Sequence, residues 1–489
     1  MTAIPIERLL IGVTILITSV LSSCSPSEQA ENKIDQAQSS PKNVVMIIVD
    51  DLGWQDTGVY GSSFYETPHI DKLAQQGTRF TQFYSASPVC SPTRASLMTG
   101  KHPARLDLTN WIGGGQNGIL QQASYVRQLE HRELTMGEAF KSCGYATGYI
   151  GKWHLGKKSH LPETQGFDWT FAVNEAGQPG SYFPPYENSS WAITNVPDLQ
   201  DDPKGTYLTD RLTDAALAFI DERKKKPFFL VLSHYAVHTP LQAPQDIVDR
   251  YKSKAKRLGP TGNQHYEAEH KSETKLRQDH PTYAAMIEST DNSVGRVLTK
   301  LDDLHLADQT VVVFVSDNGG LSTLGRRSPS QATSNSPLRS GKGWLYEGGI
   351  RIPLIIRSPG SLKPNSIDEQ MAMTTDVLPT VLQLAGAAPK PDPHVDGVDL
   401  MSTTASRPLY WHFPHYHGSG NRPGGAIRVD NLKLIEWFED GAIELYDLSQ
   451  DIGEKKDLSQ TRPKDAQKLL KMLQSWRKAI DANMPTRSK

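Results

Sequence analysis

The chain has 489 residues, 52 basic and 54 acidic side chains for a formal net charge of -2, 37% hydrophobic residues and three cysteines. That length predicts about two or three domains with a large core; the balanced charge lacks the basic excess of a nucleic-acid protein, and the ordinary 22% of charged residues excludes wholesale disorder. A globular enzyme or binding protein is left, and Cys24, Cys90 and Cys143 are too few for a disulfide scaffold, so each needs its own explanation.

In chain order, residues 1–23 come first. Glu7 and Arg8 precede an apolar run from Leu9 to Leu21, too short for a comfortable membrane span and read as a signal peptide. Its end, Leu21-Ser22-Ser23-Cys24, resembles a bacterial lipoprotein cleavage box, which makes Cys24 the lipidated N-terminus of a protein anchored to a membrane, at the outer membrane facing the periplasm or the cell surface. An ordinary signal peptide with a chance cysteine is the alternative. Residues 24–41 are Ser, Gln, Asn and charge, the composition of a flexible tether.

Beyond the tether, short β-branched runs alternate with helical patterns, which predicts an α/β fold whose sheet is buried on both faces. Strands are expected at Val44–Val49, Ala146–Ile150, Phe228–Leu232, Val311–Val315 and Ile352–Ile356, and helices at Leu134–Lys141, Leu208–Arg223, Tyr283–Leu301 and Val377–Leu384. The polar stretch Lys252–Asp279 is expected to be an exposed excursion. After about Arg407 the pattern changes to strand-like segments, Ile427–Trp437 and Ala442–Asp447, and a helix around Asp465–Ile480. The expected organisation is a catalytic α/β domain over 42–406 and a smaller C-terminal α+β domain over 407–489 built on an antiparallel sheet.

The chemistry follows the strands. Val44–Val49 runs into Asp50-Asp51, Ala146–Ile150 into Gly151-Lys152-Trp153-His154, Phe228–Leu232 into Ser233-His234 and His238, and Val311–Val315 into Ser316-Asp317-Asn318. In open α/β sheets ligands bind beyond the carboxyl ends of the strands, so four strands deliver charged or imidazole groups to one edge. Asp50, Asp51, Asp317 and Asn318 offer oxygen ligands, the set preferred by calcium or magnesium and not by zinc. Cys90-Ser91-Pro92-Thr93-Arg94 places a thiol at the positive start of a helix with a forked cation one turn along. Taken alone, that pattern is also met by a capped helix with a buried cysteine.

Cys90-x-Pro92-x-Arg94, continued by Ala95-Ser96-Leu97-Met98-Thr99-Gly100, and the segment Gly148-Tyr149-Ile150-Gly151-Lys152-Trp153-His154-Leu155-Gly156 together resemble the formylglycine-dependent type I sulfatases, the arylsulfatase family of the alkaline phosphatase-like superfamily. The resemblance runs from Asn43 through the C-terminal segment. It implies an alkaline phosphatase-like fold, with a large mixed, mostly parallel sheet between helices. It also implies that a maturation enzyme converts Cys90 to formylglycine (3-oxoalanine), so that the nucleophile is an oxygen of the aldehyde hydrate and not a thiolate. Carried over by position, Asp50, Asp51, Asp317 and Asn318, with the modified Cys90, become ligands of one calcium ion. Arg94 and Lys152 hold the hydrate and sulfate oxygens, and His238 and Lys342 contact sulfate and assist the leaving oxygen. The implied reaction passes through a covalent sulfo-enzyme, with Asp317 as base and His154 taking the proton that expels sulfate.

The expected substrate is a sulfated glycan, on the strength of the surface-lipoprotein context and the family's bacterial members. Two other functions stay open: a phosphate or phosphonate monoester hydrolase of the same superfamily, and an inactive glycan-binding lipoprotein. Gly113-Gly114-Gly115 is expected to be a loop with a possible substrate contact, Arg223–Lys226 a solvated helix end, and Cys143 a core residue. His412, His415 and His417, with Trp411 and Tyr416, fit either a sugar-binding rim or a structural strand and loop.

Overall fold

The computed structural model describes residues 41–188, 196–325, 328–389, 395–402 and 406–488. Cys24 and residues 1–40 lie outside the described residues. No helix among the described residues is long and apolar enough to cross a membrane.

An eight-stranded sheet runs in the order Ser366–Asp368, Thr78–Phe80, Leu354–Arg357, Thr310–Ser316, Asn43–Val49, Phe228–Ser233, Ala146–Gly151, Trp169–Phe171. It is mostly parallel, and Leu354–Arg357 runs antiparallel to both neighbours. The central strand Asn43–Val49 is buried along its whole length. Its side chains alternate between two cores, as strand geometry demands. Val45, Ile47 and Val49 pack with Leu212 and Phe219 of helix Leu208–Arg223 and Val294 and Leu298 of helix Pro281–Asp303. Val44, Met46 and Ile48 pack with Leu97, Phe140 and Val381 of the helices Cys90–Thr99, Met136–Ser142 and Val377–Ala385. A sheet sandwiched by helices explains why its strands read as continuous apolar runs instead of alternating ones.

The expected helices form within two residues of their predicted ends. Met136–Ser142 starts at Thr135 because a capping box closes there, Thr135 Oγ1 accepting from the Glu138 amide and Glu138 accepting from the Thr135 amide. The strand expected from Ile352 begins at Leu354, past Pro353, which has no amide proton to give a ladder. The single run Ile427–Trp437 is two strands, Gly424–Val429 and Leu432–Trp437, joined at Asp430-Asn431; Asp430 takes φ 50°, a left-handed turn conformation that Asp tolerates.

Lys252–Asp279 is exposed or half-buried as far as Ala268, as expected, and departs from expectation beyond it. Helix Gln245–Arg257 enters it, and the hairpin Tyr266–Glu269 and Ser272–Lys275 pairs with Thr323–Leu324. Glu269, Lys275 and Asp279 are buried because they are paired, Glu269 with Arg339 at 2.8 Å and Lys275 with Asp279 at 2.6 Å. Polar composition signalled exposure, whereas charge pairing allows burial.

From Leu409 on, the strands Leu409–Phe413, Gly424–Val429, Leu432–Trp437 and Ile443–Asp447 form an antiparallel sheet in chain order. Leu469 and Leu473 of helix Pro463–Ala479 cover one face at Ile427, Leu434 and Leu445. The other face packs Trp411, Phe413 and Trp437 against Tyr84, Trp344 and Tyr346. Lys433 is fully buried between Glu347 at 3.0 Å and Glu454 at 2.8 Å. Cys143 is half-buried, packed on the edge of the second core.

Ile47 is wholly buried and Ile367 is 58% exposed. Ile47→Ala is expected to lower the unfolding free energy by about 2–5 kcal/mol, and Ile367→Ala to change it by no more than about 0.5 kcal/mol. Urea unfolding of the two variants beside the parent checks the contrast; equal losses would contradict this assignment of the core.

Candidate active site

The carboxyl ends of the central strands meet where the sequence placed its acidic and basic groups. Asp50 and Asp51 follow Asn43–Val49, and Asp317 and Asn318 follow the neighbouring parallel strand Thr310–Ser316. Asp51 turns with φ 60°, and its amide donates to Asp317 Oδ1 at 3.1 Å. Oxygens of Asp50, Asp51 and Asp317 lie within 4.8 Å of one another, and all three residues are buried. Asn318 donates from Nδ2 to Asp51 Oδ1 at 2.8 Å.

Three cations hold this cluster together. Lys152 Nζ lies 2.6 Å from Asp50 Oδ2, Arg94 Nε 2.8 Å from Asp317 Oδ2, and Lys342 Nζ 2.6 Å from Asp51 Oδ1. Burial and the neighbouring Asp317 drive the Asp50 carboxyl well above its usual range, against the pull of Lys152 and Arg94. Burial pushes Asp51 and Asp317 upward too, but Lys342 and His238 outweigh it at Asp51, and Arg94 and Lys152 at Asp317, so both are held low. Two buried oxygens, Asp50 Oδ1 and Asn318 Oδ1, have no hydrogen-bond partner. Unsatisfied buried acceptors beside repelling carboxylates fit a hard divalent cation.

Cys90 opens helix Cys90–Thr99, in which Pro92 is the third residue and its missing amide proton would have been unbonded anyway. The Cys90 Sγ does not belong to the acidic cluster; it lies 3.3 Å from His154 Nδ1. His154 Nε2 lies 3.0 Å from the Ile112 carbonyl, which can only accept, so Nε2 carries the proton and Nδ1 is the free base facing Cys90. Burial and then Lys152 push His154 well below the usual imidazole range, keeping it neutral. His238 is fixed the same way, with Nδ1 2.9 Å from the Thr239 carbonyl and Nε2 3.6 Å from Asp51 Oδ2. Burial and Lys342 push it down to about 3, so a proton at Nε2 needs the added negative charge of a bound anion.

Arg94 is the hub of the floor. Its Nη1 donates to the Lys152 carbonyl at 2.9 Å and to Ser233 Oγ at 2.7 Å, while Nη2 makes no hydrogen bond and lies 3.9 Å from Asp50 Oδ1. Ser233 and Tyr149, whose hydroxyl donates to the same carbonyl at 2.7 Å, were not among the candidate residues. Ser233 stands where strand Phe228–Ser233 ends, so its position at the reactive edge was its only sequence signal. His234, one residue on, bonds Ser293 and belongs to the core.

Cys90, His154, His238 and Lys342 line one cavity of about 630 Å³ with Trp111, Ile112, Glu175, Gln178, Leu321, Leu324 and His417. The triple glycine 113–115 is not part of its lining, though Trp111 and Ile112 just before it are. Of the aromatic and imidazole group near the C-terminus, only His417 reaches the cavity. Trp411 is buried with its indole on the Ser85 carbonyl, His412 contacts the Asn483 carbonyl, His415 contacts Thr109, and the Tyr416 hydroxyl donates to Glu439.

Comparison with known proteins agrees with this geometry. The Sulfatase family model matches residues 42–387, and the model described as N-sulphoglucosamine sulphohydrolase, C-terminal, matches residues 340–480. A protein named Sulfatase from Formosa agariphila is 31% identical over 569 residues, covering 96% of this chain and 93% of its own. N-acetylgalactosamine-6-sulfatase of Homo sapiens is 32% identical over 394 residues, 76% of this chain and 68% of its own. The solved structure of Ps i-CgsB in complex with k-i-k-neocarrahexaose matches with a TM-score of 0.71 at 27% identity, over 89% of this chain and 93% of that one. Because the matched region runs through the strands that end at Asp50, Lys152 and Asp317, the helix that starts at Cys90 and the loop that carries Lys342, the chain belongs to the sulfatase family and is a sulfuric ester hydrolase of the alkaline phosphatase-like superfamily.

Proposed function

We propose that the chain removes sulfate from a sugar unit of a sulfated polysaccharide or oligosaccharide, and that it does so after a maturation enzyme has converted Cys90 to formylglycine. The observation that carries this reading is the convergence of Cys90, His154, His238 and Lys342 on one cavity beside a buried acidic cluster. The glycan part is supported by the relatives: an N-acetylgalactosamine-6-sulfatase and a protein solved with neocarrahexaose.

At position 90 a hydrated aldehyde would supply two hydroxyls on one carbon, one for attack on sulfur and one for release of sulfate. His154 Nδ1, 3.3 Å from the Cys90 side-chain terminus and held as the free base, accepts a proton from an oxygen standing there. Asp317 is engaged at both oxygens, by Arg94 and by the Asp51 amide, so its negative charge is fixed towards the metal site and Arg94. Lys342, between Asp51 and the cavity, holds its proton firmly, because Asp51 outweighs the effect of burial. Lys342 and His238 are therefore the groups to meet the charge that develops on the departing oxygen. A fixed cation such as Lys342 stabilises a transition state more than a solvated substrate, and His238 joins it only once protonated; removing one such donor typically costs about 100- to 1,000-fold in rate. Asp50, Asp51, Asp317 and Asn318 would hold calcium, which would add fixed positive charge at the same place.

Lipid anchoring belongs to the same proposal. The apolar run Leu9 to Leu21 and the Leu21-Ser22-Ser23-Cys24 box support export and acylation at Cys24, with the polar stretch to residue 41 as tether. A membrane-held hydrolase would act on polymers outside the cytoplasm.

When the protein is co-produced with a formylglycine-generating enzyme, mass spectrometry of the peptide spanning Cys90 is expected to show an aldehyde in place of the thiol. Fully active protein with only cysteine there would sink the mechanism. Asp317→Ala is expected to lower turnover by at least about 1,000-fold and to abolish bound calcium, measured by elemental analysis of the folded protein; full metal occupancy in an active variant would remove Asp317 from the site. Cys24→Ser is expected to move the protein from the membrane fraction to the soluble exported fraction and to abolish incorporation of labelled palmitate, whereas unchanged fractionation and labelling would exclude this anchor.

A further inference from the structure

His417 reaches the cavity with an orientation set by its own loop. Its Nδ1 accepts from the Ser419 amide at 3.2 Å and lies 3.0 Å from Ser419 Oγ. A ring nitrogen that accepts from a peptide N–H carries no proton, so the proton of the neutral ring is on Nε2. Burial and nearby Lys342 keep the ring neutral, with its pKa pushed down to about 3. No acceptor among the described residues meets Nε2, so a donor is left for whatever enters the cavity.

The ring sits where it does because residue 343 is a glycine. A Cβ there would lie 2.4 Å from His417 Nδ1 and 2.4 Å from Ser419 Oγ, and the backbone has φ +87°. Gly343 also donates from its amide to the Pro88 carbonyl at 2.9 Å, tying the turn next to Lys342 to the residues just before Cys90. The C-terminal loop is thereby pressed onto the segment that carries the leaving-group lysine. Glu175, exposed on the same cavity and without a hydrogen-bond or ion-pair partner among the described residues, adds an acceptor, and Trp111 adds an aromatic ring.

A neutral donor, an acceptor and a ring face match a polyol, not a second sulfate and not a plain aromatic alcohol. We infer that His417 and Glu175 form a subsite for the sugar that bears the sulfate, His417 Nε2–H donating to a hydroxyl or ring oxygen and Glu175 accepting from a hydroxyl. The inference rests on the sugar-sulfate reading above and deepens it: selectivity for sugars over aryl alcohols is built at the junction of the Lys342 loop with the C-terminal loop.

The test uses the matured, calcium-loaded full chain on a panel of galactose, N-acetylgalactosamine and glucosamine monosulfates, with 4-nitrophenyl sulfate as the ester that lacks sugar hydroxyls. The readout is kcat/KM for the best sugar sulfate divided by kcat/KM for the aryl sulfate. His417→Ala is expected to lower that ratio about 10-fold, mainly through KM for the sugar. Glu175→Ala is expected to lower it in the same direction. His417→Gln, whose amide can donate from near the place of Nε2, is expected to recover most of the ratio. A ratio unchanged within about twofold in His417→Ala, including the case in which both activities fall together, overturns the subsite. If the parent protein cleaves the aryl sulfate but none of the sugar sulfates, the subsite is overturned while the sulfatase assignment stands; if it cleaves neither, the proposed function fails first.

Discussion

Three buried carboxylates at the ends of two adjacent parallel strands govern the rest of the molecule. Asp50, Asp51 and Asp317 are brought within 4.8 Å of one another, and such a cluster is tolerable only where cations surround it. Arg94 comes from a helix on one side of the sheet, Lys152 from the end of a strand, and Lys342 from a loop after the sixth tenth of the chain. Each is almost wholly buried and each touches a different aspartate. Removing one partner from such a buried pair leaves an uncompensated charge, which typically costs about 3–5 kcal/mol. The parts of the chain that supply these groups are therefore held in register by electrostatics as well as by packing, and the same arrangement leaves Asp50 Oδ1, Asn318 Oδ1 and Arg94 Nη2 with bonding capacity to spare.

Backbone groups decide what the histidines can do. The carbonyl of Ile112 takes the Nε2 proton of His154, the carbonyl of Thr239 takes the Nδ1 proton of His238, and the amide of Ser419 occupies Nδ1 of His417. Three imidazoles on one cavity thus present a base, an acceptor that becomes a donor when an anion binds, and a neutral donor. None of these differences resides in the histidine itself. The C-terminal sheet adds a further support: Lys433 lies between Glu347 and Glu454, and Glu454 accepts from the Glu347 amide at 2.6 Å, which braces the short helix that follows the Lys342 loop.

Much was legible from the residues alone because it depends on local rules. Continuous apolar, β-branched runs need two covering layers, and the strands at Val44–Val49 and Val311–Val315 appear as expected between two helical layers. A polar residue straight after such a run must emerge at the carboxyl edge, which put Asp50, Lys152 and Asp317 together before any contact was known. The Cys90 to Arg94 segment carried its helix start and its chemistry within five residues.

The chain by itself determined the five central strands, the reactive edge and, through its resemblance to a known family, the type of chemistry, since apolar runs, helix starts and the Cys90 to Arg94 motif are properties of neighbouring residues. The short outer strands Thr78–Phe80, Trp169–Phe171 and Ser366–Asp368 were not legible. Only the tertiary structure decided which nitrogen of each histidine bears a proton, that Glu269 and Lys275 of the polar hairpin are buried, and that of Trp411, His412, His415, Tyr416 and His417 only the last faces the cavity. Those outcomes depend on partners far away in sequence, such as Ile112 for His154, Arg339 for Glu269 and Asn483 for His412. A hydrogen bond between distant segments leaves no trace in the spacing of either one, and that is the physical reason why the substrate side of the site had to wait for the fold.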